Sequence, residues 1–323
     1  MRLKPLKYLL LSVLALSSWQ VRAQTYPTSN KVINVISAYP AGTGADTTVR
    51  HFAGKLAGVS GLKVVVENKV GMITVIASDY VARSKPDGYT LFITPGNAHA
   101  ASPFAVKKLP FDPVKDFTPV TTLSKSSAFL IVDSSSPYGS IKALTAALIE
   151  KGGKASYAYT SWTALAASEL YKLRTGVQAL GIPFKGAPQT LPSLNSGEID
   201  FQFVDAGMAV QQIRAGRWRG LAVTGTERSS VLPDLPTMVE SGIPEFDISP
   251  WWAVFMPSGV PQPIVEKLEG WFNEILVMDD TKKYLADQGA TAFHGNSRLL
   301  SEHLAKEIRK WGDLLKLAKV EPQ

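Results

Sequence analysis

The chain has 323 residues, no cysteine and a net charge of +7. The lack of cysteine excludes disulfides, thiolate metal sites, cysteine nucleophiles and a lipid anchor on an N-terminal cysteine. The positive charge is mild and dispersed, without the basic blocks and interleaved aromatics that nucleic-acid binding requires.

The first residues read as an export signal spanning 1–23. Arg2, Lys4 and Lys7 precede the apolar run Leu9–Leu16, and Val21-Arg22-Ala23 places small residues at −3 and −1 of a cleavage site. The run is shorter than the roughly 20 residues that cross a bilayer. Cleavage would remove Arg2, Lys4, Lys7 and Arg22, lowering the charge from +7 to +3. The remaining ~300 residues exceed one comfortable core and point to two lobes.

Strands and helices alternate after the signal. Lys31–Ala38 reads as a strand, followed by the turn Tyr39–Asp46 and a helix to Ala57. Leu62–Glu67, helical Thr74–Ala82 and the strand Tyr89–Thr94 complete a β-α-β-α-β set, expected to form a parallel sheet. A second set follows from Phe129–Val132 through Gly220–Thr224. A strand near Ser249–Met256 and helices at Pro263–Val277, Asp280–Gln288 and Ser297–Leu317 complete the chain. The last helix spaces Leu300, Leu304, Ile308, Trp311 and Leu315 for packing on a lobe. Its late position implies that the C-terminal segment rejoins the first lobe. The expected architecture is α/β, with two lobes of mostly parallel sheet flanked by helices and two hinge crossovers. Lobe 1 is placed at 24–124 plus 249–323, lobe 2 at 125–248, and hinge motion near Thr121–Ser126 and Thr224–Ser229.

The turn Tyr39-Pro40-Ala41-Gly42-Thr43-Gly44-Ala45-Asp46 lies between a strand and a helix. Its glycines permit a tight turn and leave N–H groups at a helix N-terminus, where an anion is favoured. It reads either as an anion-binding turn or as a plain structural one. Thr47 stands where a dinucleotide fingerprint needs its third glycine. Gly58-Val59-Ser60-Gly61 is one residue short of a nucleophile elbow. The four histidines, His51, His99, His294 and His303, lack metal-binding spacing. Neither metal nor cofactor is implied. Asn97 and His99 follow a strand end and are candidates for lining the cleft, with a satisfied core histidine as the alternative.

Several strings resemble the tripartite tricarboxylate transporter substrate-binding family, also called Bug or TctC-like. They include Lys31–Arg50, Val64–Asn68, Pro86-Asp87-Gly88-Tyr89-Thr90-Leu91, Lys107–Phe117, Pro183-Phe184-Lys185-Gly186, Leu232–Thr237 and Pro257-Ser258-Gly259-Val260-Pro261. The resemblance implies a periplasmic, two-lobed receptor without catalytic activity that binds a small organic acid. Its implied partners are membrane permease subunits; a sensor kinase's periplasmic domain is the alternative, and an α/β enzyme a remoter one. A monomer is expected. The turn matching Tyr39–Asp46 and the loop matching Val70–Ala77 would grip one carboxylate, partly through water. This assigns Tyr39, Thr43, Gly44, Ala45, Asp46, Thr74 and Ala77 to one side. Tyr159–Thr163 and Asp205 would face the other end, giving Ser161, Trp162, Thr163 and Asp205.

Departures from the family pattern bear on the ligand. Val70-Gly71-Met72-Ile73-Thr74-Val75 carries bulk where the family has glycines and asparagine, and the second-lobe turn includes Trp162. Met72, Ile73 and Trp162 either line an apolar pocket, favouring an aromatic or other monocarboxylate, or pack into cores. Asp205 would repel a second ligand carboxylate unless it is protonated or meets a donor. Lys185 either offsets that charge or caps its own turn.

Overall fold

The computed structural model describes residues 26–71, 74–184, 189–317 and 319–322. The expected signal at 1–23 and the positions Met72, Ile73 and Lys185 lie outside them. The chain divides into a unit ending at Lys31 and a unit from Val32 to Gln323. In the first, the Lys31 N–H donates to the Thr28 carbonyl across 3.1 Å, closing a turn.

The second unit holds two sheets. Strands β1 (Val32–Ser37), β2 (Lys63–Asn68) and β3 (Thr90–Pro95) run parallel in the first sheet. Helices α1 (Gly44–Ser60) and α2 (Val75–Ala82) connect them, as the alternating pattern predicts. The same sheet takes β4 (Phe117–Ser126), β10 (Trp251–Pro257) and β11 (Ala290–Ala292), in the order β11-β4-β10-β3-β1-β2. The second sheet has the order β7-β6-β8-β5-β9. Its strands are β5 (Ala128–Asp133), β6 (Ala155–Tyr159), β7 (Ala179–Pro183), β8 (Phe201–Asp205) and β9 (Trp218–Val223).

Both sheets are mixed, because the chain crosses between them twice. β4 ends at the junction and enters the second sheet from that side as β5, so β5 lies antiparallel to β8 and β9. β9 likewise ends there, and the chain returns as β10, antiparallel to β3 and β4. The antiparallel strands are thus a consequence of the crossovers rather than a separate feature of the sequence.

The crossings lie side by side. Ser126 N–H donates to the Pro250 carbonyl (2.8 Å). The buried Thr224 hydroxyl accepts from Ala128 N–H (2.9 Å) and donates to the Ile248 carbonyl (2.6 Å). The first crossing, at Ser126–Ser127, adjoins the expected hinge. The return is at Ile248–Trp251, downstream of the expected hinge segment Thr224–Ser229. The intervening segment stays with the second sheet, through a Val223–Thr237 bridge and a bond from Met238 N–H to the Val223 carbonyl.

Helices α4 (Ile141–Lys151), α5 (Trp162–Thr175), α6 (Thr190–Asn195) and α7 (Ala206–Arg214) cover the second sheet, while α3 (Gly96–Ala105), α8 (Gln262–Val277), α9 (Asp279–Asp287) and α10 (Ser297–Leu317) belong with the first. The stripe of α10 buries Leu300, Leu304, Trp311 and Leu315, as the spacing predicts, and also Glu307. Burial of a carboxylate requires partners. Glu307 has three: the indole N–H groups of Trp251 (3.2 Å) and Trp311 (3.3 Å), and the Lys310 ammonium (2.5 Å). Trp251 directly follows the return crossing, so α10 anchors the hinge to the first lobe; it also touches α5 of the second. Among the described residues, no helix is long and apolar enough to cross a membrane.

Candidate ligand-binding site

The strand ends of both sheets converge on the junction, where open α/β folds bind ligands. At the end of β1, Gly42 takes φ +81°, a conformation that glycine adopts freely. Thr43 is extended (φ −74°, ψ 159°) and caps α1. Its hydroxyl accepts from the Asp46 N–H (3.3 Å) and donates to the Pro40 carbonyl (2.8 Å). The first N–H groups of a helix have no carbonyl within it. With Asp46 N–H capped, those of Gly44 and Ala45 make no hydrogen bond among the described residues. They form a donor pair at the positive end of a 17-residue helix.

Asp46 locks this turn rather than reaching for a ligand. Its side chain is fully buried. It accepts from Gly42 N–H (3.0 Å), Arg50 Nε (2.7 Å) and Asn68 Nδ2 (2.5 Å). Asn68 Nδ2 also donates to the Tyr39 carbonyl (2.8 Å), and Arg50 Nη2 donates to Asn68 Oδ1 (2.9 Å). Burial pushes the Asp46 carboxyl pKa up, but Arg50, Gly42 and Asn68 outweigh it and hold the carboxyl below its ordinary range. The turn, helix start and end of β2 are therefore pinned around one carboxylate. Arg50 lies one helical turn beyond Asp46 and Asn68 at a strand end, yet neither stands out in the sequence as part of the site.

The neighbouring α2 begins at Thr74, which is buried and left-handed at φ +76°, an uncommon state for a β-branched residue. Ala77 is also buried. Val70 and Ile76 on the same edge are 48% and 47% exposed and present apolar surface.

Two residues expected at the cleft are engaged within the fold. His99 is buried among Phe92, Phe111, Phe117 and Phe255, with a ring nitrogen 2.9 Å from the Pro113 carbonyl. Burial drives its pKa down to about 4, so it is a neutral core histidine. Asn97 accepts from Trp251 N–H (2.9 Å) and donates to the Ser249 carbonyl (3.4 Å), tying α3 to the return crossing. Both belong to α3, a helix where the sequence reading stopped at a strand end.

In the second lobe, Ser161 caps α5 by accepting from Ala164 N–H (3.2 Å), leaving the N–H groups of Trp162 and Thr163 outside the helix's own ladder. Trp162 is half-buried against the core, and Thr163 is half-buried beside it. Asp205 ends β8 opposite Ala128, the first residue past the crossing. It stands at the N-cap of α7 without capping it. Its surface is exposed although protein surrounds it, and that desolvation raises its carboxyl pKa. From the first lobe, Tyr39 lies within reach of its charge. Burial raises that phenol's pKa, and the Asp205 charge raises it further. Tyr39 also packs against Trp252 (centroids 6.3 Å apart), an aromatic that the sequence reading missed.

A separate cavity of about 400 Å³ involves Trp218, Arg219 and Leu235. Trp218 pairs with Asp133, at the opposite end of the second sheet from Asp205, so this cavity is no part of the junction. Among the described residues, no three His, Asp or Glu side chains cluster closely enough to hold a metal.

Residues 48–320 match the model of the tripartite tricarboxylate transporter family receptor. The chain belongs to that family. Its members are periplasmic substrate-binding receptors rather than enzymes. BugT of Bordetella pertussis is 31% identical over 92% of this chain and 91% of its own. The R. palustris protein Rpa4515, solved with adipate, superposes with a TM-score of 0.82 at 29% identity, over 92% of this chain and 100% of its own. MatC of Rhodopseudomonas palustris, with bound malate, gives 0.77 at 27%, covering 89% and 100%.

Proposed function

We propose that this receptor captures a small carboxylate with an apolar body in the periplasm and delivers it to membrane permease subunits. The supporting observation is the α1 turn: two free N–H groups at a helix start, held ready by the buried Asp46–Arg50–Asn68 lock. Donors fixed before binding lose little freedom when an anion arrives. Small carboxylates, adipate and malate, occupy two structural neighbours. Tyr39 packed on Trp252, exposed Val70 and Ile76 and half-buried Trp162 would supply apolar surface to the cleft, which favours an aromatic or other apolar acid over citrate. The pattern at 1–23 fits a cleavable export signal, and lobes at 24–124 plus 249–323 and 125–248 would close by bending at the paired crossings.

Thermal unfolding with benzoate, phenylacetate, hexanoate, adipate and citrate tests the ligand class. The expectation is a saturable rise in Tm with the apolar monocarboxylates. A rise with citrate and none with those acids contradicts the apolar part. For delivery, cellular uptake of an acid so found should fall when the receptor is deleted; undiminished uptake rules that step out.

A further inference from the structure

The cavity of about 400 Å³ on the second lobe lies outside the ligand cleft, and its size suits a small molecule or a large anchoring side chain. Ile213, Trp218, Val231, Leu232 and Leu235 give it apolar walls. Gly220 makes room for two of them: a Cβ there would come within 2.7 Å of a Leu235 methyl and 2.9 Å of an Ile213 methyl. One wall reaches the first lobe, where a Cβ placed on Gly289 would stand 3.5 Å from a Val231 methyl.

Charge is unevenly placed around this cavity. Arg219 lines it, and its guanidinium donates to the carbonyls of Ser134 (3.0 Å), Ser136 (2.6 Å) and Tyr138 (3.4 Å). Arg214 and Arg217 are exposed between the end of α7 and β9, on the stretch that carries Ile213, Gly216 and Trp218. Among the described residues none of these three arginines makes an ion pair, whereas Arg50, Arg83, Arg174, Arg228 and Arg298 all do. Arg214 suits the negative end of α7, but Arg217 and Arg219 lie beyond it. The acid on the lining, Asp234, is exposed, and nearby Asp133 accepts from Ser135, so arginine is in excess.

An apolar hole rimmed by unpaired arginines fits a protein segment with a bulky apolar side chain between acids: the anchor fills the hole and the charges steer it. Resting on the reading of the chain as a receptor that delivers its acid to a membrane permease, we propose that this cavity docks an acidic segment of the permease that inserts a large apolar side chain. Because Val231 abuts Gly289, the shape of the site depends on how the lobes are set, which lets docking report their closure.

A strain lacking the receptor gene is complemented with wild type or variants, and uptake is measured for an acid that binds purified wild type. Arg214→Glu/Arg217→Glu, and separately Leu232→Glu, should bind that acid within about twofold of wild type by calorimetry yet lower uptake by about tenfold or more. Arg214→Lys/Arg217→Lys keeps the charge and should keep most of the uptake. Circular dichroism and Tm establish folding; the exposed arginine pair decides the matter if Leu232→Glu does not fold. Undiminished uptake in folded variants overturns the docking site and leaves the receptor reading intact. Wild-type binding to vesicles of about one-third phosphatidylglycerol in phosphatidylcholine, lost in the glutamate pair, would make the partner a lipid surface and also overturn it. So would a second molecule of the acid per chain that Leu232→Glu abolishes. Uptake that wild type itself fails to restore overturns delivery.

Discussion

The helix-start turns of the two lobes differ in how they are held. The first, Tyr39–Asp46, is fastened by a buried carboxylate with three side-chain and backbone donors, one from another strand. The second, Tyr159–Thr163, has a single serine cap, and the nearby Asp205 is left unpaired. A fastened turn suits the group that every ligand shares, since its donors cannot adapt. A sparsely held turn beside an uncommitted carboxylate suits the part of the ligand that varies. On the proposed reading of the site, rigidity and selectivity would be divided between the lobes.

Breaking the first turn should have the larger effect. Asp46→Ala strands the Gly42 N–H and the Asn68 amide, while half-exposed Arg50 turns to water. The expected cost is about 3 kcal/mol in urea unfolding, with carboxylate binding lost. A variant with near-normal stability would show that the lock is ornamental. The same carboxyl also ties the turn to pH. Its folded-state pKa is depressed, so its stabilisation is present above the ordinary carboxylate range and disappears as pH falls through the folded value.

The first lobe's core carries a second acid sensitivity. His99 titrates near 4 when folded against an ordinary 6.5. Between those values the unfolded chain takes the proton and the folded chain does not, so stability falls as pH drops through that window. The loss approaches about 3 kcal/mol near pH 4. Comparing urea midpoints at pH 7 and 4.5 should show His99→Phe less acid-sensitive than wild type. Equal sensitivity would place the histidine outside the core.

The strand–helix alternation and the first turn were legible because their signals are local: β-branched runs and paired glycines within eight residues. What was not legible depends on distance. Asp46 reads as a ligand contact until Arg50 and Asn68 are seen to saturate it. His99 reads as a cleft residue because α3, buried along most of its length, shows no amphipathic stripe. The second hinge segment, Thr224–Ser229, reads too early, because residues 225–247 fold back on the second sheet before the chain leaves it. Trp252 was passed over because strand alternation that sends Trp251 to Glu307 leaves its neighbour facing Tyr39.

The smallest stability change is expected in the second lobe. Ser161→Ala removes one cap and should cost about 1 kcal/mol. Asp205→Asn should raise the Tm of the ligand-free protein at pH 8 and do little at pH 4. The raised pKa means that the charged form is the costly one, so the stability it withholds returns as pH falls.

The account rests on backbone N–H groups at α1 holding the carboxylate, and Gly44→Pro tests this most directly. Proline is tolerated at the first position of a helix and deletes only its N–H. The extended Thr43 suits a following proline, and nothing lies within 4 Å of a Cβ at position 44. Calorimetry with an acid that binds the wild type should show affinity falling by about tenfold or more while Tm moves by only about 2 °C. Unchanged affinity in a normally folded variant would mean that the carboxylate is held elsewhere.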